Sequence, residues 1–150
     1  MPALFYHVTR SAVDEVVATL LTRALAQGWR VELRGRTGPA MDWLDEKLWL
    51  GPEEGFLPHG RAGGPHDDLQ PALLTTARAA GDFAALMTLE GAEVSAAEVA
   101  ARERVWILFD GRDPAAVQGA RAQWKALTAA GAPAQYWSEE GGRWEKKAES

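Results

Sequence analysis

The residue types with the clearest chemical potential in this 150-residue chain are two cations beside an indole: Arg121, Trp124 and Lys125. Arg121 and Lys125 are four residues apart, so on a helix they share one flank with Trp124 beside them. Two cations framing a half-buried indole suit an acidic peptide with an apolar end, or a carboxylate. A solvated helix face with ordinary boundary cations fits the same spacing, and spacing alone favours it. A second group is Trp49 with Phe56-Leu57-Pro58, large apolar residues at and inside a stretch rich in Gly and Pro. Such side chains either fold back onto the core or meet a partner. A third group, His59 with His66-Asp67-Asp68, has the donors for a cation or for acid–base work. Its spacing matches no recurring zinc or hydrolase pattern, and a solvated loop explains it equally. His7 lies within an apolar run and reads as a structural histidine.

Composition narrows the field. A formal charge of −5 and a sequence pI near 5.2 argue against a general grip on nucleic-acid phosphates, which needs a concentrated basic face. The absence of cysteine excludes a disulfide scaffold, thiolate metal ligands and a Cys nucleophile, and fits a cytoplasmic protein. No run approaches the length of a membrane span, and the N-terminus lacks a basic region ahead of its short apolar stretch.

The elements that must position these groups follow from periodicity. Ala3–Val8 reads as a buried strand, and Ser11 as the N-cap of a helix whose stripe is Val13, Val16, Val17, Leu20, Leu21 and Ala24. Trp29–Leu33 alternates as a second strand, and a turn over Gly35–Pro39 leads to a helix with Met41, Leu44, Leu48 and Trp49 on one stripe. Gly51–Pro71 reads as a long surface loop. Short strands are expected over Ala72–Thr76 and Ala84–Leu89, and a helix over Ser95–Glu103 opened by a Ser95–Glu98 capping box. Val105–Phe109, the most apolar run, predicts a central strand buried on both faces. Asp113 and Pro114 open a last long helix that reaches Gly131, with Val117, Ala120, Trp124 and Leu127 facing inward. Gln135-Tyr136-Trp137 reads as the last strand, followed by a charged tail over about 139–150. This order is α/β in type: one domain over 1–150, a mostly parallel open sheet with helices on both faces, and some mixed pairing around the two adjacent strands. The turn after the first strand, Val8-Thr9-Arg10-Ser11, has no glycine to admit a pyrophosphate, and no G-x-x-x-x-G-K-[ST] motif exists.

Leu44-Asp45-Glu46-Lys47-Leu48-Trp49 followed by Phe56-Leu57-Pro58-His59 resembles a segment of the chi subunit of bacterial DNA polymerase III. Phe5-Tyr6, Gly28-Trp29-Arg30-Val31 and the Arg121-x-x-Trp124-Lys125 helix also match that family's layout, so the resemblance covers nearly the whole chain. It implies a single Rossmann-like domain without nucleotide chemistry or cofactor. It also implies a non-catalytic role in the clamp-loader complex. The expected partners are the acidic, phenylalanine-terminated C-terminal tail of the single-stranded DNA-binding protein and a psi subunit. By position, Arg121 and Lys125 would receive the tail's acidic groups and terminal carboxylate, with Trp124 beside them, while Trp49 and Phe56 would face psi. The competing reading is a small metal- or acid/base-dependent enzyme built on His59, His66 and Asp67.

Overall fold

Continuous apolar runs become interior strands of one sheet, and the amphipathic stretches between them become the helices that cover it. A computed structural model describes residues 3–49, 59–61, 70–76 and 82–149. In chain order the elements are β1 (Ala3–Val8), α1 (Val13–Ala26), β2 (Val31–Arg34), α2 (Gly38–Trp49), β3 (His59–Arg61) and β4 (Ala72–Thr75). Then follow β5 (Ala85–Thr88), α3 (Ala96–Ala101), β6 (Arg104–Asp110), α4 (Pro114–Ala129), β7 (Ala134–Ser138) and β8 (Glu145–Glu149). Among the described residues eight strands lie in the order β3-β4-β2-β5-β6-β1-β7-β8, and every pairing is parallel except β7 with β8. The architecture is therefore α/β with a mostly parallel open sheet, as the element order implies. No described helix is long and apolar enough to cross a membrane.

Strand alternation sends side chains to two cores. Leu4, Val8, Val31, Leu33, Met87 and Leu108 meet Val17, Leu21, Met41 and Leu44 of α1 and α2 on one face. Phe5, Leu86, Val105 and Ile107 meet Val99 of α3 and Ala120 and Leu127 of α4 on the other. The expected stripes of both long helices hold, and so do the Ser95–Glu98 capping box and the Asp113–Pro114 start of α4. The capped helix α3 stops at Ala101, ahead of the expected Glu103, because Arg102 is already extended.

Several expectations are corrected by tertiary context. Ser11 does not cap α1: the N-cap is Ala12, and Ser11 is held instead by Glu139. The expected turn over Gly35–Pro39 is shortened because α2 already begins at Gly38. The alternating segment starting at Trp29 forms β2 only from Val31, and all four of its residues are buried. Its charged members are buried because they neutralise each other. Arg34 Nε lies 3.0 Å from Glu32 Oε2, and Arg34 Nη2 lies 2.7 Å from Glu98 Oε2 of α3. Thr75 donates to Glu32 at 3.2 Å, and Arg102 Nη2 stands 3.7 Å away from the same carboxylate. Burial alone would lower the pKa of Arg34, but the hydrogen bonds to Glu98 and Glu32 hold it above its ordinary value.

The mixed pairing expected around residues 72–89 does not occur: β4 and β5 both flank β2 in parallel. Both are buried along their whole length, as strands covered on two faces must be. The antiparallel pair lies at the far edge, where the charged segment expected as a tail forms β8 against β7. The long loop is likewise interrupted by β3, which pairs with β4.

Candidate functional site

The site is built on the α4 side of the sheet edge. Asp113 accepts a hydrogen bond from the Ala115 N–H at 3.0 Å and Pro114 occupies the first turn, so α4 starts at the carboxyl end of β6 and runs back across the sheet. Burial of Ala120 and Leu127 fixes its rotation. That rotation leaves Trp124 half-buried, in edge contact with Phe5 of β1 (ring centroids 5.3 Å apart, planes at 65°). Tyr136 of β7 stands beyond it, 6.3 Å from Trp124 at 78°. Across the last strand pair, Ala148 of β8 lies opposite Tyr136.

Ala120, Arg121, Trp124, Tyr136 and Ala148 enclose an open cavity of about 210 Å³. Among the described residues its walls are two aromatic rings and two alanines, and its one charged group is Arg121, exposed on the helix at the rim. A cavity of about 150 Å³ lined by apolar side chains holds a benzene ring, so this space suits a single apolar side chain. A guanidinium at the rim then offers a fork to a carboxylate on the same residue. Burial raises the pKa of the Tyr136 hydroxyl, the charge of Glu140 raises it further, and Arg121 opposes both.

Of the three residues expected to form a peptide site, the structure brings Arg121 and Trp124 to this cavity. Lys125 is exposed on the following turn of α4 and does not line it. Tyr136 and Ala148 join the site although no local pattern marks either: the first is one residue of a short strand, and the second lies in a charged segment.

The other candidates separate. Trp49 is the last residue of α2, and Phe56 lies outside the described residues, as do His66, Asp67 and Asp68. His59 is not in a solvated loop: it is buried in β3, with Nε2 at 3.1 Å from Asp45 Oδ1 and 3.3 Å from the Asp45 carbonyl of α2. Among the described residues no group of three His, Cys, Asp or Glu side chains is placed to hold a metal ion.

The place where doubly wound sheets take phosphates is also accounted for. The turn between β1 and α1 presents three successive N–H groups, from Thr9, Arg10 and Ser11. All three donate to Glu139 Oε1, at 3.1, 2.7 and 2.6 Å. A larger cavity of about 490 Å³ opens next to this turn between α1, α2 and α4, and among the described residues its lining sets Asp14, Glu90, Asp110 and Asp113 against one cation, Arg36. That balance opposes an anionic nucleotide.

Residues 1–135 match the family described as DNA polymerase III chi subunit, HolC. A comparison with curated proteins finds no match.

Proposed function

The chain belongs to the DNA polymerase III chi subunit family, and on that premise we infer that the cavity beside α4 receives the acidic C-terminal tail of the single-stranded DNA-binding protein. The protein then acts as an accessory of replication that carries this contact to the clamp loader through a psi-type subunit, meeting DNA only through another protein. The observation that supports this reading is the cavity itself. It offers an apolar slot between Trp124 and Tyr136 with Arg121 at its mouth. A phenylalanine carrying a terminal carboxylate satisfies both features at once, the ring in the slot and the carboxylate on the guanidinium. Lys125, exposed one turn further along α4, would meet acidic residues upstream in the tail.

The net charge of −5 fits the same picture. An acidic protein repels an acidic tail at long range, so contact requires a local basic group, and Arg121 with Lys125 supplies it. The psi-type partner is assigned to Trp49 and Phe56 on the family pattern they carry. His59, one group of the alternative enzyme reading, is buried against Asp45 of α2.

Titration calorimetry with a synthetic acidic peptide ending in phenylalanine tests the assignment. Saturable binding that weakens when the terminal carboxylate is amidated is the expected result. Absence of binding at low salt overturns it.

A further inference from the structure

His7 touches the cavity wall through Tyr136 and has no part in the peptide contacts proposed. It lies on β1 two residues after Phe5, on the same face of the sheet, with its ring stacked on Phe109 (centroids 5.0 Å apart, planes at 19°). Nδ1 is 2.5 Å from the hydroxyl oxygen of Tyr136, and the two rings meet at 71°. The other nitrogen, Nε2, is buried with no hydrogen-bond partner among the described residues. The backbone of Gly111 closes over that edge so tightly that a Cβ there would collide with the imidazole. A leucine or phenylalanine in this aromatic setting would leave no orphaned nitrogen, so packing alone does not call for histidine. What histidine adds is a partner for the Tyr136 hydroxyl. That bond draws the polar tip of Tyr136 inward, away from the cavity, and leaves the ring carbons as the wall.

We propose that His7 is a positioning residue for the cavity, holding Tyr136 so that the slot presents an apolar wall and selects a peptide whose last side chain is apolar. The proposal rests on the peptide-binding reading of the cavity and adds the source of its selectivity. It makes two separable claims: His7 acts through the Tyr136 hydroxyl, and the effect is on the choice of terminal side chain rather than on attraction to acid.

Two hexapeptides serve as probes, each with three aspartates, two alanines and a C-terminal phenylalanine or serine, titrated into the full-length protein by calorimetry. The wild type is expected to prefer phenylalanine. His7→Leu frees the Tyr136 hydroxyl to face the slot and should shrink the phenylalanine-to-serine affinity ratio by about fivefold or more, a loss of the size expected when one hydrogen bond is removed. Tyr136→Phe, which has no hydroxyl to turn outward, should keep the preference, and the double variant should match Tyr136→Phe rather than His7→Leu. His7→Asn, whose amide can replace Nδ1, should restore most of the ratio. If the wild type shows the preference but His7→Leu does not change it, the role of His7 is overturned while the cavity's function stands. If the wild type binds neither peptide, the underlying assignment fails and the proposal with it. Should His7→Leu fail to fold, His7→Phe keeps the stack on Phe109 but cannot bond the Tyr136 hydroxyl, and an unchanged ratio there is equally decisive against the proposal.

Discussion

Glu139 and Ser11 are separated by 128 residues, yet the carboxylate of one accepts both the backbone N–H (2.6 Å) and the hydroxyl (2.9 Å) of the other. With the N–H groups of Thr9 and Arg10 added, a single buried side chain accepts from three successive N–H groups at the entry to α1. In a nucleotide-binding relative of this architecture those donors would face a phosphate. Here the chain supplies its own anion, which agrees with a turn that contains no glycine.

The first prediction concerns that anion. Burial alone would raise the Glu139 pKa, but the N–H groups of Ser11 and Arg10, the Ser11 hydroxyl and the Thr9 N–H together hold it below the ordinary glutamate value. A depressed carboxylate stabilises the fold above its unfolded pKa, and that contribution is lost as pH falls through the folded value. Glu139→Gln should therefore cost about 1–3 kcal/mol at pH 7. Urea denaturation should show the gap between wild type and variant closing below about pH 4.

Arg34 neutralises two buried carboxylates, Glu32 and Glu98. Arg34→Ala leaves both without their main counter-ion and should cost about 3–5 kcal/mol, with a matching fall in thermal midpoint. A loss below about 1 kcal/mol would mean that Thr75 and Arg102 suffice to hold the pair.

Arg121 lines the cavity and Lys125 does not, so their effects should differ. Arg121→Ala is expected to weaken the phenylalanine-ended peptide by about 1–3 kcal/mol. Lys125→Ala should cost about 1 kcal/mol or less and lose its effect as salt rises. Equal effects at every salt concentration would show that the peptide lies along α4 and not in the cavity.

Ala148 is exposed on β8 and faces the cavity, which makes it a place to block the site without touching the core. Ala148→Trp should leave the denaturation midpoint nearly unchanged, within about 0.5 kcal/mol, and reduce peptide affinity at least about tenfold. Retained affinity would remove β8 from the site.

Trp49→Ala and Phe56→Ala should each leave the urea midpoint unchanged and abolish co-purification with a psi-type subunit. A variant that unfolds instead would assign its side chain to the core.

What was legible in the sequence was whatever a local pattern encodes. The apolar run Val105–Phe109, the capping box at Ser95 and the Asp113–Pro114 helix start each depend on residues a few positions apart, and each is present. Arg121 and Trp124 were legible as a pair because one helix carries both. Tyr136 and Ala148 were not, since the cavity exists only where β8 pairs with β7, and nothing in Glu-Lys-Lys-Ala-Glu announces that pairing. A bulge between Tyr136 and Trp137 further obscures the register. Ser11 met every local requirement of a cap, and a carboxylate from the other end of the chain overrode it. Burial of Glu32 and Arg34 was hidden for the same reason: their compensating partner, Glu98, sits 64 residues from Arg34.

The strand that pairs on both sides with late segments has a consequence for how the molecule is made. β1 is made before both of its neighbours, which begin only at Arg104 and Ala134. Until those segments are made, the strand Ala-Leu-Phe-Tyr-His-Val has two open edges and no native partner, an apolar template exposed to other nascent chains. Docking of β6 and β7 ends that exposure, and folding yield depends on how soon it follows.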